Sequence, residues 1–309
     1  MQETPLVSIV IPTHRPEHFR NALQCALAQT YRNVEIIVSD NSTTNEIRDL
    51  CSVYPSIIYR RNVDGQAASN IAQGLTLAGG VFIKYLFDDD LIYPHCIESM
   101  LGWLGQFSPD NQASIGLITS ARHLINDNGI CYGEIREADI HTGSLMLGPE
   151  VARRILTTLY NFVGEFSTVM FRRSLIDATD PLSIFKVYDE AFPFGLIDVP
   201  LFLSLMRKSN LLYIPHSLSA FRKHSEGGSN VATNPYFHLV VSDWHRVIRA
   251  AYRSSELDKT SAIAGTKIQI LMNNHFMATF PDPMAATQIE TTKFLAELES
   301  PDDFSPVSS

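Results

Sequence analysis

Residues 81–90 read Val-Phe-Ile-Lys-Tyr-Leu-Phe-Asp-Asp-Asp, a short apolar run that stops at three adjacent carboxylates. So compact a run predicts a strand buried on both faces, and such strands belong to parallel sheets covered by helices on either side. Upstream, Val7-Ser8-Ile9-Val10-Ile11-Pro12 and Val34-Glu35-Ile36-Ile37-Val38-Ser39-Asp40 repeat the signal, and Ile57-Ile58-Tyr59 adds a shorter one. Between the strands, Phe19, Leu23 and Leu27, and then Ala68, Ile71, Leu75 and Ala78, recur at helical spacing. This alternation predicts an α/β fold, with the ligand expected at the polar loops beyond the strands' carboxyl ends.

Farther along, residues 115–120 predict another strand, and residues 122–150 are rich in turn signals. A helix near 149–160, a strand near 166–171, a helix at 198–208 and a strand at Leu211 to Ile214 follow. After Gly227-Gly228-Ser229-Asn230 the pattern turns helical: Val240, Trp244, Val247, Ile248 and Ala251 share one face, and Arg246, Arg249 and Arg253 the other. A solvated arginine face is the expectation, interrupted by Asp243, Glu256 and Asp258; docking of that face on anionic lipid is the alternative. Residues 301–309 read as a frayed tail.

The 309 residues carry a net charge of −9 and 45% hydrophobic residues, enough for a sizeable core and without the broad positive field that nucleic-acid binding needs. Cys25, Cys51, Cys96 and Cys131 match no metal-binding doublet and are expected as buried thiols of a reducing cytoplasm. Neither a secretory leader nor a membrane-spanning run is predicted, so the expectation is a cytoplasmic protein, at most peripheral at the inner membrane face.

Three carboxylates side by side repel one another, and in a half-buried place they call for a cation. Oxygen ligands suit Mg²⁺ or Mn²⁺. The competing reading of Asp88-Asp89-Asp90 is an acidic turn capping the helix near Pro94. Asp40, beyond the end of another strand, is a candidate acceptor for a base N–H; an ordinary helix cap is its alternative.

With these pieces in order, residues 7 to about 100 resemble the inverting glycosyltransferases of family two, which have the GT-A nucleotide-diphospho-sugar transferase fold. Val7 to Thr13 resembles the opening strand and Val34 to Thr43 the second strand with its acid. Asn62-Val63-Asp64-Gly65 with Asn70 resembles the asparagine-rich segment, and Ala78 to Ile83 leads into the triplet, with Pro94 at the family's spacing. Gly195-Leu196-Ile197-Asp198 resembles the segment bearing the family's catalytic acid, and Phe221-Arg222-Lys223-His224 its later basic loop. The chain departs from the family at Phe87, Asn41 and Ile197, where acids are common.

The resemblance implies a mostly parallel central sheet flanked by helices. Residues 1–115 would bind the nucleotide-sugar and 116–230 the acceptor within one GT-A domain, and 231–309 would form a helical C-terminal extension. It implies Asp198 as the base that deprotonates the acceptor. Pro12, Thr13, Asp40, Arg61, Asn70, Asp88 and Arg222 would hold the nucleotide-sugar, and Asp89, Asp90 and His224 would bind Mn²⁺ or Mg²⁺. The activity implied is inverting transfer from a nucleoside-diphosphate sugar, UDP-sugar first, to the hydroxyl of a glycan, lipid-linked or protein acceptor in cell-surface glycan synthesis. The alternatives are a sugar-1-phosphate nucleotidyltransferase, whose glycine-rich loop Thr13-His14-Arg15-Pro16 does not supply, and a silent binding module.

Overall fold

The computed structural model describes residues 4–300 except 63, 64 and 226; Val63, Asp64 and the expected tail at 301–309 lie outside the described residues. The chain runs β1 (Val7–Thr13), α1 (Pro16–Leu27), β2 (Val34–Asp40), α2 (Glu46–Ser52), β3 (Ile57–Arg61), α3 (Ala67–Leu77) and β4 (Phe82–Tyr85). It continues through β5 (Leu91–Ile92), α4 (Cys96–Leu104), α5 (Pro109–Ser114), β6 (Ile115–Ile125), β7 (Cys131–Ile135), β8 (Ser144–Met146) and α6 (Gly148–Thr158). Then come β9 (Met170–Arg172), the small hairpin β10 (Lys186–Val187) and β11 (Glu190–Ala191), α7 (Val199–Met206) and β12 (Asn210–Arg222). Three helices close the described chain: α8 (Phe237–Arg253), α9 (Lys259–Phe276) and α10 (Pro281–Glu299).

The main sheet has the order β3-β2-β1-β4-β9-β6-β12-β5. β1 pairs parallel with β2 and β4, β2 with β3, and β6 with β12, whereas β9 runs antiparallel between β4 and β6. The sheet is mostly parallel, as expected: two parallel blocks point the same way, and one reversed strand joins them. The turn-rich stretch expected at 122–150 is sheet too, because β6 extends to Ile125 and pairs with β7, while β8 pairs with β12. Its signal was weak because β7 is largely exposed and carries no apolar alternation. Cys131, at the start of that strand, is exposed, contrary to the expected buried thiol.

Burial follows the strand period. In β1, Val7, Ile9 and Ile11 enter a core shared with α1 and α4, while Val10 enters the opposite core with α3 and α6. Both faces are covered, so every residue of β1 is buried and the run is almost continuously apolar. That second core also takes Trp244, Val247, Ile248 and Ala251 of α8, Ala262 of α9 and Phe294 of α10, so the C-terminal helices share their hydrophobic contacts with the sheet. Arg246 is half-buried and paired: it bonds Asp243 at 2.6 Å, meets Glu190 at 3.2 Å and lies over the Phe192 ring. Of the expected arginine face Arg253 is exposed, and Arg246 and Arg249 are half-buried. Among the described residues no helix is long and apolar enough to cross a membrane.

The α9–α6 crossing depends on Gly265, where an added Cβ would stand 2.2 Å from the Leu156 carbonyl oxygen. Alanine at an ordinary helix position gains up to about 1 kcal/mol over glycine, but here α9 must move off α6. Gly265→Ala is expected to lose about 1–3 kcal/mol, the usual range for overpacking, read as a lower urea midpoint at unchanged slope. A stability gain would show that the helices do not meet this closely.

Candidate active site

The carboxyl ends of β2, β1 and β4 lie side by side, which sets Asp40, Thr13 and the acidic triplet along one edge. The three triplet carboxylates then go to three different places. Asp88 turns into the β1–α1 loop, where its Oδ2 accepts from the Thr13 hydroxyl at 2.9 Å, the His14 N–H at 3.1 Å and the Arg15 N–H at 3.2 Å. It satisfies donors at the start of α1, which otherwise has no side-chain cap. Asp88, expected at the nucleotide-sugar, thus holds its Oδ2 on the start of α1 and not on the helix near Pro94.

Asp89 is the outward member. Its Oδ2 lies 3.0 Å from His224 Nε2 and 3.1 Å from an Arg15 guanidinium nitrogen. His18 packs edge-on to His224, and burial, with the charges of Arg222, His224 and Arg15, lowers its pKa. Arg15 and His18 are site residues that sequence reading did not single out.

Asp90 faces inward. Its Oδ1 accepts from the Arg222 N–H at 3.0 Å, and Ser167 donates to the same carboxylate. Burial, and then the neighbouring Asp89, push its carboxyl well above the usual range. Beneath it, Lys84 is fully buried and holds the Ser167 and Val169 carbonyls at 2.5 and 3.3 Å; burial lowers its ammonium pKa. One lysine inside an apolar strand was a visible signal, but its partners lie more than 80 residues away. Asp90 is more deeply buried than Asp89, and both line the same cavity. Arg222, expected on the donor, is likewise a clamp: Nε donates to the Asp89 carbonyl, and Nη1 to the carbonyls of Asn126 and Asp127.

Asp40 is entirely buried. Its carboxylate accepts from the Ser42 N–H at 2.7 Å and the Tyr59 hydroxyl at 2.7 Å, and Arg61 lies 3.2 Å away. The proximity of Arg61 was expected; here the guanidinium also bonds the Ser42 and Thr44 carbonyls, closing a loop over the acid. Asn70 ties α3 to the strand ends, accepting from Ser39 and donating to the Thr13 carbonyl, which also receives the Asn41 N–H. Pro12, Thr13 and Asn70 are buried in this lattice. Five of the residues expected to hold the nucleotide-sugar, Pro12, Thr13, Asp40, Arg61 and Asn70, thus gather at the strand ends, Asp40 against Arg61 and Asn70 on Thr13.

Asp198 caps α7 through the Val199 N–H and opens onto a cavity of about 310 Å³ that Asp89, Asp90, Glu165 and Arg222 also line. Asn161 donates to its other oxygen at 3.0 Å. Burial, reinforced by the negative charge of Glu165, pushes the Asp198 carboxyl up to about 7, the range in which a carboxylate serves as a general base at neutral pH. Glu165 is held by Arg122 at 2.6 Å. Neither Asn161 nor Glu165 has a local motif to mark it; the turn before β9 carries them in. The Asp198 loop rests directly on α8 at Gly195, where a Cβ would stand 2.8 Å from the Leu239 carbonyl.

The model of glycosyl transferase family 2 matches residues 8–176, more than half of the chain, and the chain belongs to that family. An uncharacterized glycosyltransferase of Rickettsia bellii is 26% identical over 232 residues, covering 73% of this chain and 31% of the relative. The glycosyltransferase GlyA of Streptococcus pneumoniae is 21% identical over 282 residues, 87% of this chain and 38% of its own. The chain spans about a third of the length of the curated relatives it matches first. S. aureus TarS 1–349, solved with UDP-GlcNAc, superimposes with a TM-score of 0.64 over 94% of this chain and 81% of that one, at 14% identity, a likeness of GT-A fold alone.

Proposed function

We propose that this chain transfers a sugar from a UDP-sugar to an acceptor hydroxyl with inversion at the anomeric carbon. One observation carries the reading: the half-buried carboxyl of Asp198, its pKa raised to about 7, shares a cavity with the outward Asp89 at the strand ends. The UDP-GlcNAc and UDP complexes of TarS support the donor class.

Inversion requires the acceptor oxygen to attack the anomeric carbon from the side opposite the departing diphosphate. Asp198 is placed to take the acceptor's proton as the new C–O bond forms, and Asn161 and the Val199 N–H fix the carboxylate's orientation. The bond to the diphosphate breaks at the same time, and its developing charge falls where Arg15 and His224 flank Asp89. Preorganised charge of this kind stabilises a transition state without reorganising water.

A carboxylate beside an imidazole fits Mn²⁺ or Mg²⁺ in donor chemistry. Among the described residues, however, no three His, Cys, Asp or Glu side chains form a metal cluster. Asp89 and His224 would therefore hold the ion together with donor oxygens, while Asp90 braces the loop. When bound, such an ion supplies Lewis-acid neutralisation of the leaving group.

Incubating the protein with UDP-sugars and Mn²⁺ and following UDP release tests the reading. A transferase hydrolyses its donor slowly without acceptor, and no release from any UDP-sugar would overturn it. A role at the cell surface is part of the same proposal, as is an acceptor that is a glycan, a lipid-linked saccharide or a protein.

A further inference from the structure

Lys84 is the one lysine buried among the described residues, and it is fully enclosed. It does not line the cavity that Asp89 and Asp198 share. An ammonium is costly to bury, and an apolar side chain of similar volume would fill the same space at lower cost. What the ammonium adds is donors, and they go to the carbonyls of Ser167 and Val169. Those carbonyls lie where the chain enters the sheet: β9 begins at Met170, and just ahead of it Phe166–Thr168 form one tight 3₁₀ turn.

That turn also supports the acidic triplet. The Ser167 hydroxyl accepts the Phe87 N–H at 2.9 Å and donates to the Asp90 carboxylate. The Asp90 N–H returns to the Phe87 carbonyl at 3.1 Å, and the Phe87 ring stacks on Phe166 with centroids 5.3 Å apart. Both ends of the turn at residues 87–90 are therefore fastened to the turn at 166–168, and Asp89 stands between them. Without the ammonium, two buried carbonyls lose donors, and the segment carrying Ser167 must shift to replace them.

We propose that Lys84 is a positioning residue for sugar transfer: acting through Ser167, it fixes the turn at residues 87–90 and with it the place of the Asp89 carboxylate. The inference rests on the reading of Asp89 as a donor-side group of a transferase.

The test combines kinetics of UDP release from a UDP-sugar with Mn²⁺, per folded protein, and amide hydrogen exchange. Lys84→Met fills the space without donors, and Ser167→Ala cuts the link with the lysine in place. Each should lower kcat about 10- to 100-fold, the scale of a displacement of about 1 Å, while metal-free UDP affinity stays within about twofold. The double variant should be no slower than the slower single one, because both changes break one connection. Lys84→Arg, which keeps the charge and the donors, should recover most of the loss. In Lys84→Met, where Ser167 is intact, amides of residues 87–90 should exchange about tenfold faster and those of β1 and β2 at the wild-type rate. If Lys84→Met does not fold, Lys84→Gln, with one amide donor group at shorter reach, takes its place with the same expected direction. A lysine that only stabilises the fold would lower the urea midpoint and leave kcat per folded protein unchanged. Wild-type kcat in either single variant, losses that multiply in the double variant, or faster exchange spread evenly over β1 and β2 would each overturn the positioning role. If the wild-type protein releases no UDP from any UDP-sugar, the transferase reading fails instead, and exchange at residues 87–90 alone decides whether Lys84 holds the turn.

Discussion

Asp198→Asn is expected to lower turnover by about 10²- to 10⁴-fold, the usual contribution of a positioned general base, while UDP-sugar affinity stays near the wild-type value. The side chain keeps its size and the oxygen that receives the Val199 N–H is retained, while Asn161 loses its acceptor at the other position, a local loss beside a cap that stays in place. The pH profile separates a lost base from a disturbed site. Proton abstraction needs the ionised carboxyl, so wild-type turnover should fall about tenfold per pH unit below about 7, where burial and Glu165 place its pKa. The Asn variant should show no such limb. Undiminished turnover, or an acid limb that survives the substitution, would remove Asp198 from the mechanism.

The same shift predicts a stability effect of opposite sense to that of a salt-bridged acid. The folded pKa lies above the ordinary 3.8, so the folded state binds the proton more tightly than the unfolded chain. The stability this provides is full below about 3.8 and is lost as pH rises through about 7. Asparagine has no proton to lose. Its stability relative to wild type should therefore climb between those limits, by about 1–2 kcal/mol once screening through the open cavity is allowed for. Denaturant titrations at several pH values would read this difference.

Why some of this was legible in the sequence and some was not follows from the range of the interactions. β1, β2 and β4 are short, β-branched and buried on both faces, so their signal is local, and the ligand-bearing ends follow from where the strands stop. β12 was visible only in part: it runs from Asn210 to Arg222 through Pro215 and His216, with register shifts against β6, and its polar second half reads as loop. Asp89, His224 and Asp198 were singled out because each matches a family pattern, and the fold brings Asp89 and Asp198 to one cavity and His224 against Asp89. Asp88, Asp90 and Arg222 carry equally polar side chains, yet their partners are a helix start, a backbone N–H and three carbonyls. Those partners lie between 73 and 133 residues away for Asp88, Asp90 and the Arg222–Asp89 bond. A carboxylate that braces a loop and one that meets a ligand look the same until the backbone donors around them are placed.

The difference between bracing and ligating is what makes Asp89→Asn informative. The structural bond at this position uses the Asp89 carbonyl, which receives Arg222 Nε, so changing the side chain leaves that clamp in place. What disappears is the negative charge between His224 and Arg15. If Asp89 and His224 hold a divalent ion against the donor diphosphate, the wild-type protein should be stabilised by UDP far more with Mn²⁺ than with a chelator. At 100 times the dissociation constant the ligand adds about 2.7 kcal/mol, and the Asn variant should lose the Mn²⁺-dependent part of the gain. Its metal-free affinity for UDP should hold or rise, because Arg15 and His224 then face the diphosphate without a competing carboxylate. His224→Ala should weaken the Mn²⁺ response but leave Asp89 as a ligand. An Asn variant that keeps the full Mn²⁺-dependent shift would place the ion elsewhere or remove it from donor binding, leaving Arg15 and His224 to carry the diphosphate charge on their own.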